Sequence, residues 1–216
     1  MHPYWAQFAK LAVAHLLAAA APGPDFAMVV RQSLAHGRRA AVWTSIGIGT
    51  AILIHVTYAV LGIGVLLRQW PPLFTAVKLT GAAYLAWIGA RALMSRPNRA
   101  MPGAPAGAEA ALSVAATPSP RKAWVMGFLT NATNPKVTIF FVAVFAALVD
   151  PLTPRVIQAA YGAWMSLATM AWFVLVSLFF TRGDVRSVFL RGGHWIDRAM
   201  GAVFLGLAAA LAFASV

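Results

Sequence analysis

Two short motifs place charged side chains inside long apolar stretches of this chain. They are Pro22-Gly23-Pro24-Asp25 and Asn131-Ala132-Thr133-Asn134-Pro135-Lys136. Proline removes a backbone donor and glycine relaxes the backbone limits, so each motif predicts a helix that stops and restarts. Non-helical backbone at membrane depth is tolerated only where it is buried in protein or lines a cavity. Both breaks are therefore predicted to face inward.

The chemistry of the two motifs suits a ligand that carries both charges. The unpaired N–H groups and positive dipole end of a restarted helix favour a carboxylate. Lys136 adds a full positive charge, and keeping a charge at the membrane centre costs roughly 2.5–3.5 kcal/mol on insertion scales, which marks it as functional. Asp25 has three open roles: it contacts a substrate amino group, it takes up a proton during exchange, or it caps the helix and pairs with Lys136.

Two histidines also lie within apolar segments. His55 has Thr57 and Tyr58 beside it, and it either serves the cavity by bonding substrate or relaying protons, or bonds a neighbouring helix. For His15 the packing role is favoured. The substrate-binding residues predicted from these patterns are Pro22, Gly23, Pro24, Asp25, His55, Asn131, Asn134, Pro135 and Lys136.

Composition places the motifs in a membrane protein. Of the 216 residues, 61% are hydrophobic and 10% charged, which is outside the range of soluble domains. The formal charge of +12 does not indicate nucleic-acid binding, because the basic residues lie mostly between apolar runs, as in cytoplasmic loops. Six membrane spans are predicted from the apolar runs, at about 5–34, 41–67, 72–94, 123–149, 154–181 and 195–215.

A segment rich in Pro, Ala, Gly and Ser divides the chain into two halves. We expect a first three-span repeat over 1–96, a flexible cytoplasmic linker over 97–120 and a second three-span repeat over 121–216. Each half begins with a proline-broken span. The predicted fold is therefore an all-α membrane protein of six transmembrane spans, built as two inverted three-helix repeats with spans 1 and 4 broken at prolines.

The distribution of basic residues predicts the orientation. Twelve of the 17 Lys and Arg residues fall on one side of this arrangement, so the central loop is expected in the cytoplasm and both termini outside. If the first segment re-enters instead of crossing, the N-terminus moves inside and the other spans keep their orientation.

The residue inventory excludes several functions. The chain has no cysteine, hence no thiolate metal site or dithiol relay, and no Gly-Lys-Ser/Thr phosphate loop to bind nucleotide. No nucleophile has an adjacent base by spacing, so no enzyme and no catalytic residue are predicted. Export of a divalent metal or another small cation is one alternative function, but the spans offer one Asp and scattered His as ligands and predict no metal site.

The motifs together resemble those of the lysine-exporter/homoserine-threonine-resistance (LysE/RhtB) family of bacterial amino-acid exporters, over nearly the whole chain. The resembling pieces are Pro22 to Asp25, Arg31 through Gly37-Arg38-Arg39, Gly47/Gly49 to His55, Lys78 to Gly89, and Gly127 to Asn131 through Asn134-Pro135-Lys136. The resemblance implies efflux of small amino acids or close derivatives of the threonine, homoserine and homoserine-lactone type, driven by the proton-motive force.

The resemblance also implies partners and location. These are a small-molecule amino-acid substrate, protons as coupling ion and the lipid bilayer of the bacterial inner membrane, without a tightly bound cofactor. Asn134, Pro135 and Lys136 carry over from the family most directly, whereas the position of Asp25 varies within it. The oligomeric state is left open, a homo-oligomer included.

Overall fold

Prolines mark where most of the helices begin. The computed structural model describes residues 3–21, 23–94, 117–150, 152–179 and 183–213. The helices within these ranges are α1 (Pro3–Ala20), α2 (Pro24–Gln69), α3 (Pro71–Leu93), α4 (Pro120–Ala132), α5 (Pro135–Leu148), α6 (Arg155–Phe179) and α7 (Gly183–Phe213). Five of them start at a proline, whose missing N–H is not needed in the first helical turn and whose fixed φ suits a helix start.

The two predicted breaks lie at the predicted prolines. α1 ends at Ala20 and α2 begins at Pro24, while α4 ends at Ala132 and α5 begins at Pro135. The axes of α4 and α5 differ by 58°. Each break therefore brings the end of one helix and the start of the next to the same place.

The predicted boundary between spans one and two lies at Gly37. The apolar runs 5–34 and 41–67 predict a break between these spans, and within α2 (Pro24–Gln69) two helical segments meet at the non-helical backbone of Gly37. Gly37 has φ 77° and ψ −179°, a conformation that a side chain strongly disfavours. A single glycine in the left-handed region is enough to redirect the helix, so no longer loop is needed.

The long bent helix α2 organises the packing. It lies along α4 and α6, α3 lies along α7, and α5 contacts α1, α2, α3 and α7. The α2–α4 contact is close because Gly127 of α4 faces the Thr44 backbone and leaves no room for a Cβ there. Thr44 Oγ1 also donates to the Ala123 carbonyl oxygen across this contact, at 3.2 Å. Small residues of this kind let membrane helices approach closely.

The helices have the length and composition of a membrane protein. Pro24–Gly62 and Arg155–Phe179 are long and apolar enough to cross a bilayer, and the bent pair α4–α5 is a third such segment if it counts as one span. Large apolar side chains on these elements, such as Leu53, Leu167 and Leu175, are exposed, as contact with lipid requires. The protein is a membrane protein whose regular structure is all helical in the described residues, while the count of six spans and the inverted repeat stay predictions.

Candidate functional site

A cavity of about 50 Å³ lies at the two breaks. Its polar side chains come from α1, α2, α4, α5, α6 and the residue before α5: His15, Asp25, Asn131, Asn134, Lys136 and Thr169. Much of the remaining wall is aromatic, from Phe26, Phe140, Phe141, Phe173 and Phe204. A water molecule needs roughly 10–15 Å³ by this measure, so the cavity has room for only a few.

The Asp25 carboxylate is held by two amides of the other break. Asp25 is 8% exposed, and its Oδ2 accepts hydrogen bonds from Asn131 Nδ2 at 2.9 Å and Asn134 Nδ2 at 3.3 Å. Each hydrogen bond to a charged group contributes about 1.5–3 kcal/mol, which offsets much of the cost of burying the carboxylate. Asp25 Oδ1 and Asn131 Oδ1 are buried without a hydrogen-bond partner among the described residues. They are acceptors available to a ligand.

Asn134 links the two breaks. Its backbone has extended φ/ψ and its Oδ1 accepts from the Lys136 backbone N at 3.1 Å, so it is the N-cap of α5. Its Nδ2 points to Asp25 at the start of α2. One carboxamide therefore caps its own helix with the oxygen and bonds Asp25 at the start of α2 with the nitrogen, and an apolar side chain at this position would lose both contacts.

Lys136 brings its ammonium to the cavity from the first turn of α5. Its Nζ lies 5.6 Å from the centroid of the Phe204 ring, a cation–π distance that helps to hold a cation in a region of low polarity. The same nitrogen is 3.6 Å from where a Cβ at Gly23 would stand. The positive and negative side chains of the two breaks thus line one cavity, together with the starts of α2 and α5.

His55 does not line the cavity but contacts Asn131, which does. It is fully buried, its Nε2 lies 3.1 Å from the Asn131 carbonyl oxygen, and its Nδ1 hydrogen-bonds the Tyr58 hydroxyl. A carbonyl oxygen only accepts, so Nε2 carries the hydrogen and Nδ1 of the neutral ring accepts from Tyr58. The Phe141 ring stacks on the imidazole at 5.7 Å between centroids. His55 therefore fixes the backbone of Asn131, whose side chain holds Asp25.

His15 lines the cavity from α1, although the sequence favours packing for it. Its Nε2 lies 3.0 Å from the Met165 carbonyl oxygen and 2.9 Å from Thr169 Oγ1, both on α6. Helix packing is thus confirmed, and the residue is also part of the cavity wall. The sequence did not predict that His15, Thr169 and Phe204 line the cavity. The spacing of residues in an apolar helix does not show which face lines a cavity.

The other predicted site residues divide by position. Gly23 and Pro24 line the cavity, whereas Pro135 begins α5 and is exposed. Pro22 lies outside the described residues, as do residues 97–116 of the predicted linker. Within the described part of the chain, no group of three or more His, Asp or Glu side chains is placed to hold a metal ion.

A helical membrane protein in which charged side chains line a cavity between two broken segments has features expected of a membrane transporter. The family model for the LysE type translocators matches residues 16–215. The chain belongs to this family, which confirms the family resemblance of its motifs.

Three similar proteins are named for amino-acid efflux. The chain is 30% identical over 200 residues to the threonine efflux protein of Escherichia coli (strain K12), covering 92% of this chain and 94% of the relative. It is 30% identical over 206 residues to the threonine efflux protein of Salmonella typhi, with the same coverage. It is 31% identical over 200 residues to the leucine efflux protein of Klebsiella pneumoniae, covering 88% and 87%. No solved structure matches the chain.

Proposed function

We propose that the protein is a secondary transporter of the inner membrane that exports small amino acids or close derivatives, of the threonine, homoserine and homoserine-lactone type. The observation that carries this proposal is that Asp25 and Lys136, which carry opposite charges, line the same cavity. A zwitterion presents the complementary charges. The relatives named for threonine and leucine efflux support the same substrate class.

The substrate ammonium is assigned to the Asp25 side of the cavity. Asp25 Oδ1 and Asn131 Oδ1 are buried acceptors with no hydrogen-bond partner in the described residues, and an ammonium group donates three hydrogen bonds. Binding would satisfy both oxygens at once. Because leaving a buried acceptor unsatisfied costs about 1–3 kcal/mol, its satisfaction by the substrate favours binding.

The substrate carboxylate is assigned to Lys136 and the start of α5. The Lys136 ammonium lines the cavity, and the positive dipole end of α5 also favours an anion there, while the N–H groups of Lys136, Val137 and Thr138 are already bonded to Asn134. The cavity volume of about 50 Å³ is small for a whole amino acid. Entry of substrate therefore requires movement of the surrounding helices, as alternating access does.

The transport cycle is proposed to use the proton-motive force, with Asp25 as the group that exchanges a proton. The proposed topology has six spans in two inverted three-helix repeats, 1–96 and 121–216, with the linker 97–120 in the cytoplasm and both termini outside. The distribution of basic residues supports this orientation.

The test of export uses cells preloaded with a mixture of dipeptides, with and without the protein. Release of one or more small amino acids above the control level is expected, and unchanged release of every amino acid would contradict the proposal.

The test of the site is Lys136→Ala. Loss of a charged hydrogen bond to substrate should weaken apparent affinity by about tenfold to a hundredfold, with normal membrane insertion. Lys122→Ala removes the same charge from an exposed position in α4 and serves as the matched control. Wild-type export by Lys136→Ala would refute the assignment of the carboxylate.

A further inference from the structure

One ring nitrogen of His15, Nδ1, takes no part in the hydrogen bonds that hold the residue against α6. The residue is 3% exposed, and its Nδ1 is buried with no hydrogen-bond partner among the described residues. A buried polar atom left unpaired costs about 1–3 kcal/mol. The His15 ring lines the same cavity as Asp25 and Lys136.

The hydrogen bonds on the other side of the ring fix its tautomer. His15 Nε2 is 3.0 Å from the Met165 carbonyl oxygen, which can only accept, so Nε2 carries a hydrogen. A charged imidazolium would be costly here, since the ring is buried near Phe140, Phe141 and Trp164 and its partners are a carbonyl and a hydroxyl. In the neutral ring, Nδ1 is then a hydrogen-bond acceptor.

His15 lies on different helices from the charged groups of the cavity, so it would contact the side chain of a bound amino acid rather than its ammonium or carboxylate. The charged end of the cavity is built from α2, α4 and α5, where Asp25 is bonded to Asn131 and Asn134. His15 instead belongs to α1 and is anchored on α6. A zwitterion held at the charged end would direct its side chain to the remaining walls, where aromatic and aliphatic side chains surround the polar groups of His15 and Thr169.

We infer that His15 is a specificity-determining residue whose Nδ1 accepts a hydrogen bond from a hydroxyl group on the substrate side chain. The inference rests on the proposed export of amino acids and narrows it to hydroxylated ones. A site built to bond a hydroxyl rejects the analogue that lacks it, because the buried acceptor is left without a partner.

The test compares export of threonine with that of valine, which has nearly the same shape and no hydroxyl. Cells are preloaded with equal amounts of alanyl-threonine and alanyl-valine, and initial rates of release are measured against cells without the protein. Wild type is expected to release threonine about tenfold faster than valine, the ratio that corresponds to one unsatisfied buried acceptor.

Two substitutions test the roles of the two ring nitrogens of His15 separately. The side-chain amide of glutamine reaches the Nε2 position and that of asparagine reaches the Nδ1 position. His15→Gln should keep the bonds to α6 and bring the threonine-to-valine ratio close to one. His15→Asn should retain part of the preference, although it loses the anchor on Met165. Membrane abundance of each variant is measured alongside, and His36→Gln, outside the cavity, is the matched control.

The outcomes distinguish the inference from the proposed function. Equal release of both amino acids by wild type, or a wild-type ratio in His15→Gln, would overturn the role of His15. Loss of the preference in Thr169→Val with its retention in His15→Gln would assign the hydroxyl to Thr169 instead. Release of neither amino acid, nor of any other from a wider dipeptide mixture, would reject amino-acid export itself.

Discussion

Three substitutions of Asn134 test its two contacts separately, and they are expected to destabilise the protein by different amounts. Asn134→Ala removes both the cap of α5, worth about 1 kcal/mol, and the bond to Asp25, worth about 1.5–3 kcal/mol for a charged acceptor. The 3.3 Å length of that bond favours the lower end. Asn134→Ser should keep the cap and lose only the bond. The expected losses in free energy of unfolding are about 2.5 kcal/mol for Ala and about 1.5 kcal/mol for Ser.

Asn134→Asp should be the most damaging of the three, although Asp is a good N-cap. It places a second carboxylate where the amide donor stood, 3.3 Å from Asp25 Oδ2. Two like charges at that distance repel by about 5 kcal/mol at an effective dielectric constant of about 20. Protonation of either carboxyl group relieves the repulsion, so the stability deficit of this variant should shrink as the pH falls.

The assay is unfolding of the purified proteins by titration with a denaturing detergent, together with export from dipeptide-loaded cells. Thr133→Ala is the control, because Thr133 is exposed and its hydroxyl donates to the Leu129 carbonyl oxygen in the preceding turn, and it should change stability by less than about 0.5 kcal/mol. If Asn134→Asp proved as stable as Asn134→Ser at neutral pH, the contact between the two breaks would not exist in the membrane.

Two further substitutions test other parts of the molecule. Asp25→Asn should flatten the dependence of export on external pH while the protein still inserts, and an unchanged pH profile with full activity would exclude proton exchange at Asp25. Gly127→Ala should cost about 1–3 kcal/mol of stability, because a Cβ there overlaps the Thr44 backbone. Gly62→Ala, with no atom within 4 Å of the added Cβ, is its control in the same unfolding assay, and equal stability of the two variants would refute the close contact.

The proline motifs predicted the part of the fold that matters most for the site. Proline and glycine act on their own backbone, so the breaks before Pro24 and Pro135 follow from local sequence. The break at Gly37 lies where the sequence predicts a boundary, but it is shorter than a loop. The charged residues around it look like a loop, yet the backbone needs only one left-handed residue there, and packing of α2 on α4 and α6 keeps the rest helical.

The composition of the site was predictable, but its connections were not. A buried charge or amide in an apolar run indicates function, and this pattern identified Asp25, Asn131, Asn134 and Lys136. The hydrogen bonds that Asp25 accepts from two amides depend on how α2 meets the α4–α5 bend, which sequence spacing does not encode. The sequence likewise predicts the packing of His15 on a neighbouring helix but not its place in the cavity wall. The direction of its ring depends on how the helices pack.

The bonds between the breaks also constrain how the cavity opens. Asn131 and Asn134 belong to the second break and Asp25 to the first, so separating these segments removes the donors from a buried carboxylate. In an empty site that loss is uncompensated, whereas a substrate ammonium supplies new donors. A ligand shifts a conformational equilibrium only by its differential affinity for the two states, and this exchange of donors provides such a difference. We therefore expect the loaded protein to open more readily than the empty one, which limits futile cycling without substrate.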